Sequence, residues 1–415
     1  MNRTFHRALQ LSVLALVGLA PRGRSQSADT TCISRPATSI TGTSPAIAPI
    51  DVANNHVYVK VCAGEHPLDF ILDSGAGASF FDLDHAKQLG LKLGSAFTAR
   101  GAGAGTVAGA QVDKGAVTLA GTGIRQNVTA ALDLSRLPSR EAHAMDGILG
   151  FDFISRYVVA IDYVKHELRL YDRDSFVYSG PGTSLPVTFV SNHPHVDAEV
   201  RLADGQTIKG RMIVDVGASS SLSLTKPWVD DNHLRERITP TIHRRGGGGV
   251  GGTTSSDIGR VASLRLGDIE LRNPTTTLYG DSAGVFTERG SWIANIGGDV
   301  LRRFTVFLDY KNRRMILEPH AGTNEPFEAD MSGAGLILDD SLKNVIADYV
   351  IADSPAGAAG LAARDTIVSI DGRPADMREL RAFRQRVKHE GVRVTLTVRR
   401  GGETKTVAFL TRRLI

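Results

Sequence analysis

A chain of 415 residues that is 42% hydrophobic and 22% charged has the make-up of a folded protein of two to three domains, which excludes wholesale disorder. Its 44 glycines, with Val, Ile and Thr in short apolar runs, favour strands joined by many turns. A net charge of +4, with arginine doublets scattered at Arg244-Arg245, Arg302-Arg303, Arg399-Arg400 and Arg412-Arg413 and no basic run interleaved with aromatics, argues against a nucleic-acid groove.

The first residues read as an export signal over 1–27. Arg3 and Arg7 form a positive n-region, Ala8 to Ala20 an apolar h-region, and small residues follow at Ser25, Ser27 and Ala28. This stretch of 13 residues falls short of the roughly 20 that a membrane-spanning helix needs. Cleavage is therefore expected, leaving no stable membrane span and a periplasmic or secreted protein. Residues 28–44 form an entry segment rich in Ser, Thr and Pro. The two cysteines, Cys32 and Cys62, suit a disulfide in an oxidising compartment, the alternative being one buried and one exposed thiol. Neither has a neighbouring Cys or His at metal-ligand spacing, so no metal site is expected.

From residue 45 to 320 the same order of elements occurs twice, over 45–178 and 179–320. Each copy opens with a hairpin, His56 to Val61 turning at Gly64 and His195 to Val200 turning at Asp204-Gly205. Each hairpin leads into an apolar strand ending in Asp-x-Gly-Ala: Asp73-Ser74-Gly75-Ala76 in the first copy, Asp215-Val216-Gly217-Ala218 in the second. Leu83 to Leu91, with Gly90 as a stop signal, is the clearest helical stretch. A glycine-rich run follows each aspartate, with Gly101, Gly103 and Gly105 in one copy and Gly247, Gly248 and Gly249 in the other. These runs lack the strand-turn-helix setting of a phosphate loop, which leaves flexible linkers or mobile hairpin flaps. Their matching positions favour flaps. The copies close alike: Ile148-Leu149-Gly150 then Arg156 to Tyr163, and Asn295-Ile296-Gly297 then Arg303 to Tyr310. Asn127-Val128-Thr129 matches a glycosylation acceptor that matters only in a eukaryotic secretory route.

These repeated motifs resemble the pepsin and retropepsin superfamily of aspartic peptidases, and more closely its retropepsin lobes because both copies carry a flap candidate. The resemblance implies a mainly β, two-lobed acid-protease barrel fold with Asp73 and Asp215 as the catalytic dyad. It also implies support from Ser74, Gly75, Ala76, Val216, Gly217 and Ala218, and no cofactor. Two carboxylates about 3 Å apart share one proton, so one activates water while the other acts as the acid. Glycine lets the backbone turn tightly beneath each carboxylate and aim N–H groups at it. Ser74, by resemblance, reaches across to the other lobe's backbone. Val216 has no hydroxyl, so one arm of that lock is missing, at a cost of about 0.5–1.5 kcal/mol. Ala76 and Ala218 offer no hydroxyl donor to an ionised carboxylate, which predicts a mildly acidic to neutral optimum.

Residues 325–415 do not continue the repeat. Gly333-Ala334-Gly335-Leu336, Ser354 to Leu361 and Asp365 to Gly372, followed by a helix over Met377 to Val387 and strands over Val392 to Arg399 and Glu403 to Leu410, resemble a PDZ domain of the kind attached to bacterial exported proteases. This fold is a small β-barrel with a helix. Gly333, Ala334, Gly335 and Leu336 are the implied cradle for the C-terminal carboxylate of a peptide ligand, which binds as an added strand. Arg364 stands where that family has Gly, which puts the local turn in question. Together these features predict an exported aspartic endopeptidase acting on peptide or protein substrates, with a PDZ module for recruitment or regulation. The alternatives are an inactive peptide-binding protein of the same fold, for which Val216 is the argument, and a structural adaptor acting through its PDZ domain.

Overall fold

A computed structural model describes Cys32 and residues 36–280 and 284–415. The expected signal peptide at 1–27 and the first residues of the entry segment lie outside the described residues. Cys32 and Cys62 form a disulfide with a Cα–Cα separation of 5.6 Å, tying the entry segment to the first lobe.

The chain is mainly β, and its repeat is visible strand by strand. In the first lobe the antiparallel pair His56–Ala63 and His66–Leu72 carries the chain to Asp73. Gly147–Leu149 then returns parallel to that strand, with Gly147 opposite Phe70 and Leu149 opposite Leu72. The second lobe repeats the device: His193–Arg201 pairs with Thr207–Val214, and Ala294–Ile296 lies parallel to it, with Met212 opposite Ala294 and Val214 opposite Ile296. A parallel return strand is buried on both faces, which explains the apolar character of Gly147–Leu149 and, Asn295 apart, of Ala294–Ile296.

The lobes join through a shared sheet. Tyr157–Asp162 and Phe304–Asp309, buried along their whole length, pair antiparallel with Val159 opposite Leu308 and Ile161 opposite Val306. One continuous core runs from Val57 and Phe70 in the first lobe to Met212 and Phe304 in the second. Ser74 adds a polar bolt at the centre. Its buried hydroxyl donates to the Val214 carbonyl (2.7 Å) and accepts from the Val216 N–H (3.0 Å), so one side chain makes two bonds across the lobe boundary. Val216 is fully buried and makes no reciprocal bond, as its side chain led us to expect.

The connection to the last domain is anchored by Arg303, which is entirely buried. Its guanidinium donates to the carbonyls of Glu325 and, at 3.2 Å, Pro326, and lies 3.5 Å from the Phe327 ring centroid. The last domain is a sheet in the order Ala334–Leu338, Val345–Val350, Thr366–Ile370, Arg393–Arg400, Glu403–Leu410, so Ala334–Leu338 is an edge strand. The helix Met377–Arg386, capped by Asp376 accepting from the Glu379 N–H at 2.8 Å, packs beside it. The turn in question at Arg364 keeps the shape a glycine would allow: Arg364 adopts φ +73°. Its N–H donates to the Ala347 carbonyl at 2.7 Å, and Asp365 is gripped by two Arg400 bonds of 2.6 Å.

Replacing Ser74 by Ala strands a buried N–H and a buried carbonyl, each costing about 1–3 kcal/mol. Thermal unfolding is expected to show a clearly lowered Tm for Ser74→Ala and near-complete recovery for Ser74→Thr. An unchanged Tm in the Ala variant contradicts a lobe-locking role.

Candidate active site

The two Asp-x-Gly-Ala turns are superimposable in their bonding. The Asp73 N–H donates to the Leu149 carbonyl at 2.9 Å, and the Asp215 N–H to the Ile296 carbonyl at 2.9 Å. Gly75 donates to Asp73 Oδ1 and Gly217 to Asp215 Oδ1, each at 2.8 Å. The carbonyl of Ala76 accepts from Phe151 (2.9 Å), and that of Ala218 from Gly298 (2.6 Å). Behind the turns, Ser79 donates to Asp152 Oδ1 at 2.6 Å and Ser221 to Asp299 Oδ2 at 2.7 Å, a second symmetric pair that sequence reasoning did not single out.

This symmetry brings the carboxyl groups together. A Cβ on Gly75 would lie 2.7 Å from Asp215 Cγ, and one on Gly217 would lie 2.2 Å from Asp73 Cγ, so neither position admits a side chain. The carboxyls hydrogen-bond to each other. Burial, then the charge of Asp215, then that hydrogen bond, hold Asp73 well above the ordinary carboxylate range, opposed by the N–H groups of Gly75 and Ala76. Both aspartates keep partial exposure, so water reaches the pair. Beneath them lies the buried Tyr310, whose phenol is pushed up by burial first and then by the negative charge of Asp73 and Asp215.

The symmetry breaks at one further place. Asn295 Nδ2 donates to Asp215 Oδ2 at 2.6 Å, and its buried Oδ1 has no partner. The matching residue in the first lobe is Ile148, which joins an apolar cluster with Tyr58, Ile71, Leu132 and Met145. Sequence reasoning missed this donor, although aligning the closing segments sets Asn295 against Ile148. With Ala76 and Ala218 unable to donate, Asn295 supplies one side of the pair with the side-chain hydrogen bond they lack.

Both glycine runs are hairpin tips, and they meet. Lys92–Arg100 pairs with Thr106–Asp113, and Ile242–Gly249 with Gly252–Arg260. The Gly103 N–H donates to the Val250 carbonyl (2.9 Å) and the Gly105 N–H to the Gly251 carbonyl (2.8 Å). A Cβ on Gly103 would lie 2.1 Å from Gly251 C, and one on Gly101 2.7 Å from the Val250 carbonyl oxygen. Gly248 takes φ +112°, a conformation glycine accommodates without strain. Gly247 and Gly249 lie on the same strand. The Val250 side chain packs on the apolar cluster with Ala76, Phe80 and Val107, which places the joined tips over the Asp73 turn.

The implied PDZ cradle is formed but internally filled. Gly333 has φ +74° and Ala334, Gly335 and Leu336 enter the edge strand. Asp330 Oδ1 already accepts from the N–H groups of Ser332 (2.9 Å) and Gly333 (2.7 Å), and Ser332 Oγ accepts from Ala334 (3.1 Å). Among the described residues no cluster of His, Cys, Asp and Glu is arranged to hold a metal ion, and no helix is long and apolar enough to cross a membrane.

Residues 57–153 and 197–288 match the aspartyl protease family, and residues 346–400 match the PDZ domain family. No curated protein matches the chain. Among solved structures it is similar to the aspartic proteinase from Irpex lacteus, with 14% identity and a TM-score of 0.45 over 68% of this chain and 99% of that one. Two segments that match one family, each ending its hairpin in Asp-x-Gly-Ala, make residues 57–288 an aspartyl protease-like region, with a PDZ domain after its two lobes.

Proposed function

We propose that the protein is an exported aspartic endopeptidase that hydrolyses peptide bonds with water activated between Asp73 and Asp215. The observation that carries this reading is the closeness of the carboxyls, which leaves no room for a Cβ on Gly75 or Gly217. Like charges at such range cannot both ionise, so the pair holds one proton. Asn295 gives Asp215 a side-chain donor that Asp73 lacks, and burial beside Asp215 raises Asp73. The proton then sits on Asp73. Asp215 takes a proton from the water as its oxygen attacks the scissile carbonyl, while Asp73 donates to the carbonyl oxygen. As the tetrahedral gem-diol collapses, the C–N bond breaks, Asp215 passes the proton it took to the leaving nitrogen and a hydroxyl proton returns to Asp73, releasing an acid and an amine with the dyad restored.

The substrate lies extended beneath the two glycine tips, whose hydrogen bonds to one another must open to admit it. The alternative of an inactive binding protein rests on Val216. Its missing hydroxyl does not separate the lobes, because Ser74 alone supplies two cross-lobe bonds. Export is supported by the signal pattern of residues 1–27 and by the Cys32–Cys62 disulfide, a bond that persists in oxidising compartments. The PDZ domain makes peptide or protein partners reasonable and has a regulatory role.

Incubating the mature protein with a peptide library tests the dyad. Asp73→Asn and Asp215→Asn are each expected to lose roughly 10²–10⁴-fold in rate with the fold intact. Cleavage at equal rates by both variants and the parent defeats the reading. For the parent, a rate maximum in the mildly acidic to neutral range is expected, and one near pH 2 contradicts it.

Asp73 also predicts a stability effect of definite sign. Its folded pKa is raised, so below an unfolded value of about 3.9 the proton is bound in both states and burial costs nothing. As pH rises through that value the unfolded chain ionises first, and the folded state loses relative stability up to the raised folded pKa. Asp73→Asn should therefore have a higher Tm than the parent at pH 7, with the gain vanishing below about pH 4. A gain that is independent of pH counts against a raised Asp73.

Asn295→Ile copies Ile148 and removes the donor to Asp215. A hydrogen bond to a charged group is worth about 1.5–3 kcal/mol, or one to two pH units. The acid limb of the kcat/KM profile should move upward by about that amount, while Asn295→Gln keeps some of the donor function. An unmoved limb removes Asn295 from the machinery.

A further inference from the structure

We infer that the peptide groove of the PDZ domain holds the chain's own segment Leu137–Ala142 as an internal ligand, so that this groove clamps the first lobe and does not receive a free C terminus. The inference rests on the PDZ reading alone, not on catalysis by the dyad.

The groove has two walls, the free edge of Ala334–Leu338 and the helix Met377–Arg386. Between them sits the helical turn Leu137–Glu141 of the first lobe, ended by Ala142 in the left-handed conformation (φ +52°). Ala142 has no exposed surface, and it is the member from outside the domain in a core cluster with Leu336, Leu338, Leu380 and Phe383. Two arginines of the groove helix bind main-chain carbonyls of the segment, as a groove binds a peptide: Arg381 Nε donates to Ala142 O and Arg384 Nη2 to Arg140 O, each at 2.6 Å. Arg384 also donates to the Leu336 carbonyl at 2.9 Å, which bridges the occupant and the edge strand. Around the rim Arg140 faces Asp348 at 3.8 Å and Arg381 faces Asp51 at 3.5 Å.

The loop that would take a terminal carboxylate is closed independently of this segment. Its amides at Ser332, Gly333 and Ala334 are already bound by Asp330 and Ser332. An incoming carboxylate would have to displace a carboxylate already in place, with burial raising the pKa of Asp330.

The clamped segment runs straight to the dyad. His143 stacks on Tyr58 at 3.7 Å and binds Asp51 at 3.0 Å, Met145 and Ile148 share the apolar cluster of Tyr58, and Leu149 accepts from the Asp73 N–H at 2.9 Å. On the other side the strand Ile242–Gly249, which leads to the second glycine tip, packs against Val345–Val350 of the PDZ domain. One domain thus touches the wall of the cleft and the root of a flap.

The test uses the full chain and reads binding and amide exchange, neither of which needs catalysis. Labelled hexapeptides with an apolar last residue, as free acids and as amides, are titrated while anisotropy is followed, and hydrogen exchange is measured over 137–142 and 334–338. The parent should show no saturable, carboxylate-dependent binding and slow exchange in both stretches. Arg381→Ala with Arg384→Ala, or Ala142→Arg separately, should speed exchange in both stretches about tenfold or more, the loss of one to two net hydrogen bonds, while leaving 56–63 unchanged. Saturable binding of the free acid but not the amide by the parent overturns the inference, as does fast exchange in either stretch of the parent. Both of these arms need no variant, so they decide the question even where a variant fails to fold.

Discussion

Two carboxyl groups held within reach of one another are unfavourable when both are charged, and the surrounding architecture exists to hold them there. Each is delivered by the end of an apolar strand, and each strand is pinned by a parallel return strand whose last carbonyl takes the aspartate's own N–H. The glycine two residues on is required twice over. It lends an N–H to its own aspartate and leaves room for the opposite one. Carboxylate repulsion would drive apart lobes held only by weak surface contacts. Here the lobes share a buried antiparallel pair of strands and one core, so separating them exposes apolar surface at about 25 cal/mol per Å².

Perfect symmetry would leave both carboxyls equivalent, and water activation needs them unequal. The sequence breaks the symmetry at two places that work in different ways. Val216 against Ser74 concerns holding the lobes, and a single hydroxyl with one donated and one accepted bond already meets that need. Asn295 against Ile148 concerns charge, because an amide donor on Asp215 Oδ2 has no counterpart on Asp73. The same exchange alters the walls of the cleft. One side presents Ile148, Phe80 and Val250, and the other has a polar amide with an unpartnered oxygen.

Much of this was readable in the sequence, because the features that specify the fold are local and occur twice. A strand ending in Asp-x-Gly-Ala, an apolar residue before Gly, and a glycine run between them repeat at matching distances, and each copy checks the other. The hairpins, the helix after Asp82, the disulfide and the last strand of the PDZ domain appear where their residues indicated. What escaped were the contacts made between segments far apart in the chain. Asn295 reads as one polar residue in an apolar strand until that strand is laid beside Asp215. The helical turn at Leu137–Glu141 has no amphipathic pattern to mark it, since its burial comes from another domain. Arg364 was ambiguous because a left-handed turn is written as Gly in most chains, yet here the backbone bond to Ala347 and the Asp365–Arg400 pair hold an arginine in it.

The filled PDZ groove follows from the same reliance on long-range contacts. A segment fixed at both ends in a folded lobe meets the groove as an intramolecular ligand, at an effective concentration that is of order millimolar for a short tether. Its ordering entropy has already been lost in folding the lobe, so the contact keeps most of its gross energy. A free peptide must give up its own freedom and also displace Ala142 from the core it shares with Leu336 and Phe383. It therefore binds only if the lobe segment leaves, and linkage makes that coupling reciprocal: whatever moves Leu137–Ala142 alters the groove, and whatever fills the groove moves Leu137–Ala142. Because this segment continues through Met145 to the strand that carries Leu149, the position of the Asp73 turn is tied to the state of a domain that contributes no catalytic group.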